Sequence, residues 1–131
     1  MGTVERIRER LQRHPELKFR VTGDTITVEP PTASGFPVSL TVGAGGWVVG
    51  FGGWHEHFPS DDEALSCFAF GFSDRCRLRV HYRGSFAYRW AVEERTAEGW
   101  REDSVTGLLL FPFWRRPRVD YHQNAFMGAA E

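Results

Sequence analysis

At 131 residues, the chain is sized for one domain and can bury about two-thirds of its unfolded surface, enough to need no metal or disulfide to hold a core. Hydrophobic residues at 41% and charged residues at 25% are ordinary for a globular protein. No apolar run approaches the roughly 18 residues of a membrane span. A net charge of −1 argues against general nucleic-acid binding, because neutralising phosphates needs a clear positive excess.

The N-terminal stretch is charged throughout and lacks a signal-type apolar segment, so a cytoplasmic protein without membrane association is expected. Cys67 and Cys76 would then be reduced thiols, buried as small hydrophobes. Charge is segregated. Residues 1–20 carry six Lys/Arg against three acids, residues 21–74 carry seven acids and no Lys or Arg, and residues 75–131 carry ten Arg against seven acids. Either the acidic middle and basic flanks neutralise each other in the fold, or the acids form a face for a basic partner. Five Trp, eleven Phe and three Tyr point to a sheet-built core, an apolar pocket or a contact surface.

In chain order, Thr3 is placed to cap a helix over about residues 4–14, with Val4, Ile7 and Leu11 on one stripe and Pro15 ending it. Leu17, Phe19 and Val21 alternate with polar residues; Gly23-Asp24 turns the chain, and Ile26 and Val28 alternate again, predicting a hairpin. Val38, Leu40 and Val42 predict a third strand and Trp47, Val49 and Phe51 a fourth. Gly52-Gly53 permits a bulge or bend. Ser60-Asp61-Asp62-Glu63 matches a capping box, with three acids where the helix dipole favours them. That helix should run to about Phe70 and stop at Gly71. From Ala64 to Phe72 only Ser66 is clearly polar, so the helix is expected to be the most buried element, with Leu65, Phe68 and Phe72 in the core. It should be covered on more than one side, by a curved sheet or a second subunit.

Residues 75–83 read as an amphipathic strand with Cys76, Leu78, Val80 and Tyr82 on the apolar face and Arg75, Arg77, Arg79, His81 and Arg83 on the other. A three-residue turn, Arg83-Gly84-Ser85, would pair Tyr82 with Phe86 and match the apolar faces, leaving Arg77 and Arg79 exposed and Arg75 opposite Glu93. After a turn at 97–99 comes a short strand at Trp100. Leu108–Trp114, LLLFPFW, is apolar at every position, as in a covered strand that Pro112 places at an edge or bulge. Val119 and Tyr121 predict a last strand, and 125–131 a loose tail. The expected fold is α+β: one domain over residues 1–124, a curved antiparallel sheet of about seven or eight strands with both helices packed on it.

His55-x-His57 is the one metal-type spacing, since i and i+2 project from the same face of a strand. A third ligand would have to come from His81, His122 or an acid such as Asp61. No nucleophile elbow, phosphate loop or dinucleotide fingerprint is present, and Cys67 sits in an apolar helix where a thiol is inert. No metal or other cofactor is expected. The arginine stripe most simply forms the solvated face of a half-buried strand; otherwise it would clamp an acidic protein, phosphate or nucleic acid. The sequence therefore favours a small non-enzymatic protein that binds another macromolecule, as an adaptor, inhibitor or immunity-type protein does. Its candidate surface comprises Trp54, His55, Glu56 and His57, the acids Asp61 and Asp62, and Arg75, Arg77 and Arg79. A protein partner is expected, and a dimer is compatible with the apolar helix. The alternative is a binding protein for a small apolar or aromatic ligand held in a sheet–helix cavity; a metal-dependent enzyme centred on His55 and His57 ranks third.

Overall fold

Two antiparallel sheets, rather than one curved sheet, form the framework of the computed structural model, which describes residues 2–124. The first sheet has the order β1 (Phe19–Thr22), β2 (Thr25–Val28), β3 (Val38–Gly43), β4 (Gly46–Phe51), β5 (Trp54–Phe58). The second has the order β8 (Gly99–Gly107), β7 (Phe86–Thr96), β6 (Cys76–Arg83), β9 (Pro117–His122). Helix α2 (Asp61–Phe70) intervenes between β5 and β6 and packs on β3, β4 and β5, beside α1 (Thr3–Leu11), which packs on β2 and β3. The fold is α+β, as expected. Its strands divide between two sheets because β5 meets β7 and β8 through side chains, not through a backbone ladder: Trp54 Nε1 donates to Ser104 Oγ at 3.1 Å, and Thr106 Oγ1 bonds the His55 backbone at 3.2 Å on both sides. The expected loose tail at 125–131 lies outside the described residues.

A single buried apolar cluster joins the two sheets to the helices, running from Ile7 and Leu11 through Ile26, Val28, Val38, Leu40, Val49 and Phe51 to Leu78, Val80 and Val92. Phe36, Phe51 and Trp54 stack through its centre with ring centroids 5.4 and 4.7 Å apart. These three rings belong to the packed core.

Several expectations change. Gly52-Gly53 is neither a bulge nor a bend but a two-residue hairpin turn, with Phe51 paired to Trp54. Gly52 has φ +59°, a left-handed conformation that suits glycine. A Cβ on Gly53 would sit 2.2 Å from Trp90 Cε2. Gly2, not Thr3, is the N-cap of α1; Thr3 is buried inside the first turn, where its hydroxyl accepts from Trp47 Nε1 at 2.9 Å. The Ser60 cap forms as expected, its Oγ accepting from Glu63 N at 3.3 Å, and Gly71 ends α2. That helix is not the most buried element. Ala64 and Phe68 are buried, and Phe72 just beyond it, whereas Leu65, Cys67 and Phe70 are half-buried and Ala69 is exposed. Its own chain covers it on the side facing the first sheet.

The β6–β7 hairpin matches its faces by an unexpected route. Its turn has two residues, Gly84-Ser85, so Arg83 pairs with Phe86 and Tyr82 with Ala87. A bulge at Tyr88 then restores the alternation, and His81 pairs with Arg89. Arg77 therefore lies opposite Glu93 and Arg79 opposite Ala91; it is Arg77, not Arg75, that meets Glu93. Strand β8 is longer than expected, because polar residues at both parities hid its alternation.

Residues 108–114 form no strand. In the order β8-β7-β6-β9, the chain must leave one edge of the sheet and re-enter at the other. Three interstrand steps are about 14 Å, and the connection crosses them over the end of the β6–β7 hairpin. A segment running across the strand direction cannot join the ladder, and Pro112 lacks an N–H to offer it.

The chain closes at Asn124, which is buried. Its Oδ1 accepts from Phe36 N at 2.8 Å, and its Nδ2 donates to the carbonyls of Phe36 and Gly71 at 2.9 and 3.2 Å.

Candidate binding surfaces

The residues singled out from the sequence do not form one surface. On β5, alternation puts Trp54 and Glu56 on the inner side and His55 and His57 outside. Trp54 is buried, and Glu56 accepts from Ser104 Oγ at 3.0 Å, extending the Trp54–Ser104 contact into a short polar chain. His55 and His57 share the exposed face with ring centroids 6.4 Å apart, edge to face. His81 and His122 lie in the second sheet, and Asp61 is engaged by Arg6 at 2.7 Å. Among the described residues no group of three His, Cys, Asp or Glu is arranged to hold a metal ion. Asp62 is exposed in the first turn of α2.

The arginine stripe is engaged internally. Arg77 donates from Nε to Glu93 at 2.5 Å, and its guanidinium lies between the rings of Trp100 and Tyr121, 4.3 and 4.2 Å from their centroids. Arg79 binds Glu93 and Glu102 and donates from Nε to His81 Nε2 at 3.0 Å. Glu93 is only 4% exposed, so two cations compensate a carboxylate withdrawn from water. Arg77 and Arg79 are half-buried, correcting the expectation that they face solvent. Arg75 remains exposed, with a 3.3 Å contact to Glu94. Burial, then the positive neighbours Arg79 and Arg89, lower the pKa of His81 below its ordinary 6.5.

The surroundings of both thiols hold them protonated. Burial, followed by the carboxylates of Glu56 and Asp103, pushes Cys67 up to about 12. Cys76 is pushed up as well, again mainly by burial. Both are free. Among the described residues, no helix is long and apolar enough to cross a membrane.

Among the described residues, the large apolar side chains most open to water lie on the crossing segment, where the sequence predicts a covered strand. On the crossing segment Leu109 is 97% exposed, Leu110 87%, Trp114 72% and Phe113 69%. The segment is nevertheless held. Phe111 stacks on Tyr88 with centroids 4.1 Å apart and planes 12° from parallel. Leu108 N donates to Tyr88 O at 2.8 Å, Arg83 Nη1 to Phe113 O at 3.2 Å, and Gly84 N to Arg116 O at 2.7 Å. The bulge at Tyr88 thus has a purpose, turning that ring to carry Phe111. Arg115 and Arg116 follow, both exposed. Pro112 inside a run apolar at both parities was the signal that this stretch is not a covered strand.

No family model, curated protein or solved structure matches the chain. Function therefore rests on these surfaces alone.

Proposed function

We propose that the protein is a non-enzymatic binding protein that docks a protein partner through residues 108–116. The exposure of Leu109, Leu110, Phe113 and Trp114 on a segment fixed by backbone hydrogen bonds and the Phe111–Tyr88 stack carries this reading. A contiguous apolar patch left in water marks an interaction site. Fixing it in advance lowers the ordering cost of association, and Trp and Arg are the side chains that most often dominate binding energy. Arg115 and Arg116 follow the patch directly in the chain, and no acid occurs between Asp103 and Asp120. The complementary surface is an apolar pocket with an acidic rim. The candidate surface around His55 and His57 is separate, and its arginines are occupied by Glu93, Glu94 and Glu102.

A photocrosslinking residue placed at Leu110, with Glu98 as a surface control, tests this in the native host. The expected result is one protein adduct at position 110 that is absent at position 98 and lost on adding Trp114→Ala, with the melting temperature unchanged. Equal labelling at both positions, or adducts only to lipid or to another copy of this chain, would overturn it.

A further inference from the structure

Helix α2 is apolar over much of its circumference, and among the described residues the strands it chiefly packs on are those of the first sheet. Its Leu65 and Ala69, with Phe72 just beyond its end, look into a cleft of about 360 Å³ whose opposite wall is Ile7 and Leu11 of α1 and the following Leu17. The rim is Arg6, Arg10, Arg13 and His14, and no acid lines the cleft among the described residues. Arg6 is occupied by Asp61, tying the two helices together near their N-termini. His14 lies 3.6 Å from the exposed Glu16. Arg10 and Arg13 make no side-chain ion pair or hydrogen bond among the described residues. An apolar floor beneath two open guanidinium groups calls for a ligand that is apolar along its length and negative at one end.

We propose that this cleft binds a small amphiphilic anion: a carboxylate or phosphate head on a single acyl or aryl tail. The tail lies along Leu65, Phe68, Ile7 and Leu11, and the head reaches Arg10 and Arg13, whose planar forks match either oxyanion. The size agrees, since small-molecule sites begin at about 300 Å³, whereas a stable protein contact needs about 800 Å² on each side. Residues 108–116 contribute nothing to the cleft, so this site stands apart from the protein-docking segment.

Calorimetric titration of the full chain with decanoate and with decyl phosphate, below their micelle concentrations, reads the site directly. One molecule of at least one probe should bind per chain. Decanol and decyltrimethylammonium should bind at least about tenfold more weakly, as loss of one charge-assisted contact implies. Arg10→Gln with Arg13→Gln should weaken the anion about tenfold at an unchanged melting temperature, and raised salt should weaken it too. Ala69→Trp, a change at an exposed position, should block the cleft. The proposal fails if neither anion binds at about 1 mM, the weakest affinity of interest, if decanol binds as well as decanoate, or if the double arginine variant binds like the parent. Should Ala69→Trp fail to fold, the arginine variant and the head-group series decide the matter.

Discussion

Ala64–Phe72 and Leu108–Trp114 are two apolar runs of similar length with opposite fates. The first is started by the Ser60 cap, stopped at Gly71 and laid on a sheet, so Ala64, Phe68 and Phe72 reach the core. The second has no cap, carries a proline, and must travel across the end of a sheet, so it cannot pair and its Leu109, Leu110, Phe113 and Trp114 lie in water while Phe111 stacks on Tyr88. Apolar composition alone does not decide burial. The path the topology imposes on the backbone does.

The sharpest way to break this contrast is to truncate one aromatic in each run. Phe68→Ala should cost about 3–5 kcal/mol in denaturant melts, as a large-to-small core change does. Trp114→Ala should stay within about 0.5 kcal/mol, as at a surface site. Comparable losses in both variants would mean that the crossing segment is part of the core. Next in size, Glu93→Ala should destabilise by about 3 kcal/mol, because it leaves Arg77 and Arg79 facing each other without the buried carboxylate. A loss below about 1 kcal/mol would place that pair among surface ion pairs.

The smallest effect is in pH dependence. His81 has a folded pKa below 6.5, lowered by burial, Arg79 and Arg89 against the opposing pull of Glu102 and Glu93. As pH falls, the unfolded chain takes up this proton first, so stability should decline below about pH 6.5 and level off once the folded-state pKa is passed. His81→Gln should flatten that decline. An unchanged slope between about pH 7 and 5 would assign the acid sensitivity to other groups.

The sequence read well wherever local chemistry decided the outcome. Alternation at Val38–Val42, the Ser60–Glu63 cap and the Gly71 stop all appear where their patterns put them. It failed where a distant partner decided. The turn length at Gly84-Ser85 was misjudged because a bulge at Tyr88 compensates for it three residues later. The crossing segment was read as strand because nothing local says that β9 adds to β6, on the far side of the sheet from β8. The proposed docking and ligand surfaces both depend on such long-range placements, which no local pattern in the sequence reports.

Asn124 carries a consequence for how the molecule is made. Its amide side chain caps backbone groups of Phe36 and Gly71, 88 and 53 residues earlier in the chain. Synthesis proceeds from the N-terminus, so those groups exist long before their partner does. The first sheet and both helices all precede Phe72 in the chain, but the backbone at Phe36 and the end of α2 lack this partner until position 124 arrives. Strand β9, which precedes Asn124 and completes the second sheet, is equally late. The nascent chain therefore carries its apolar cluster unsealed while residues 73–124 are being added, the interval in which a chaperone or a premature contact would find it.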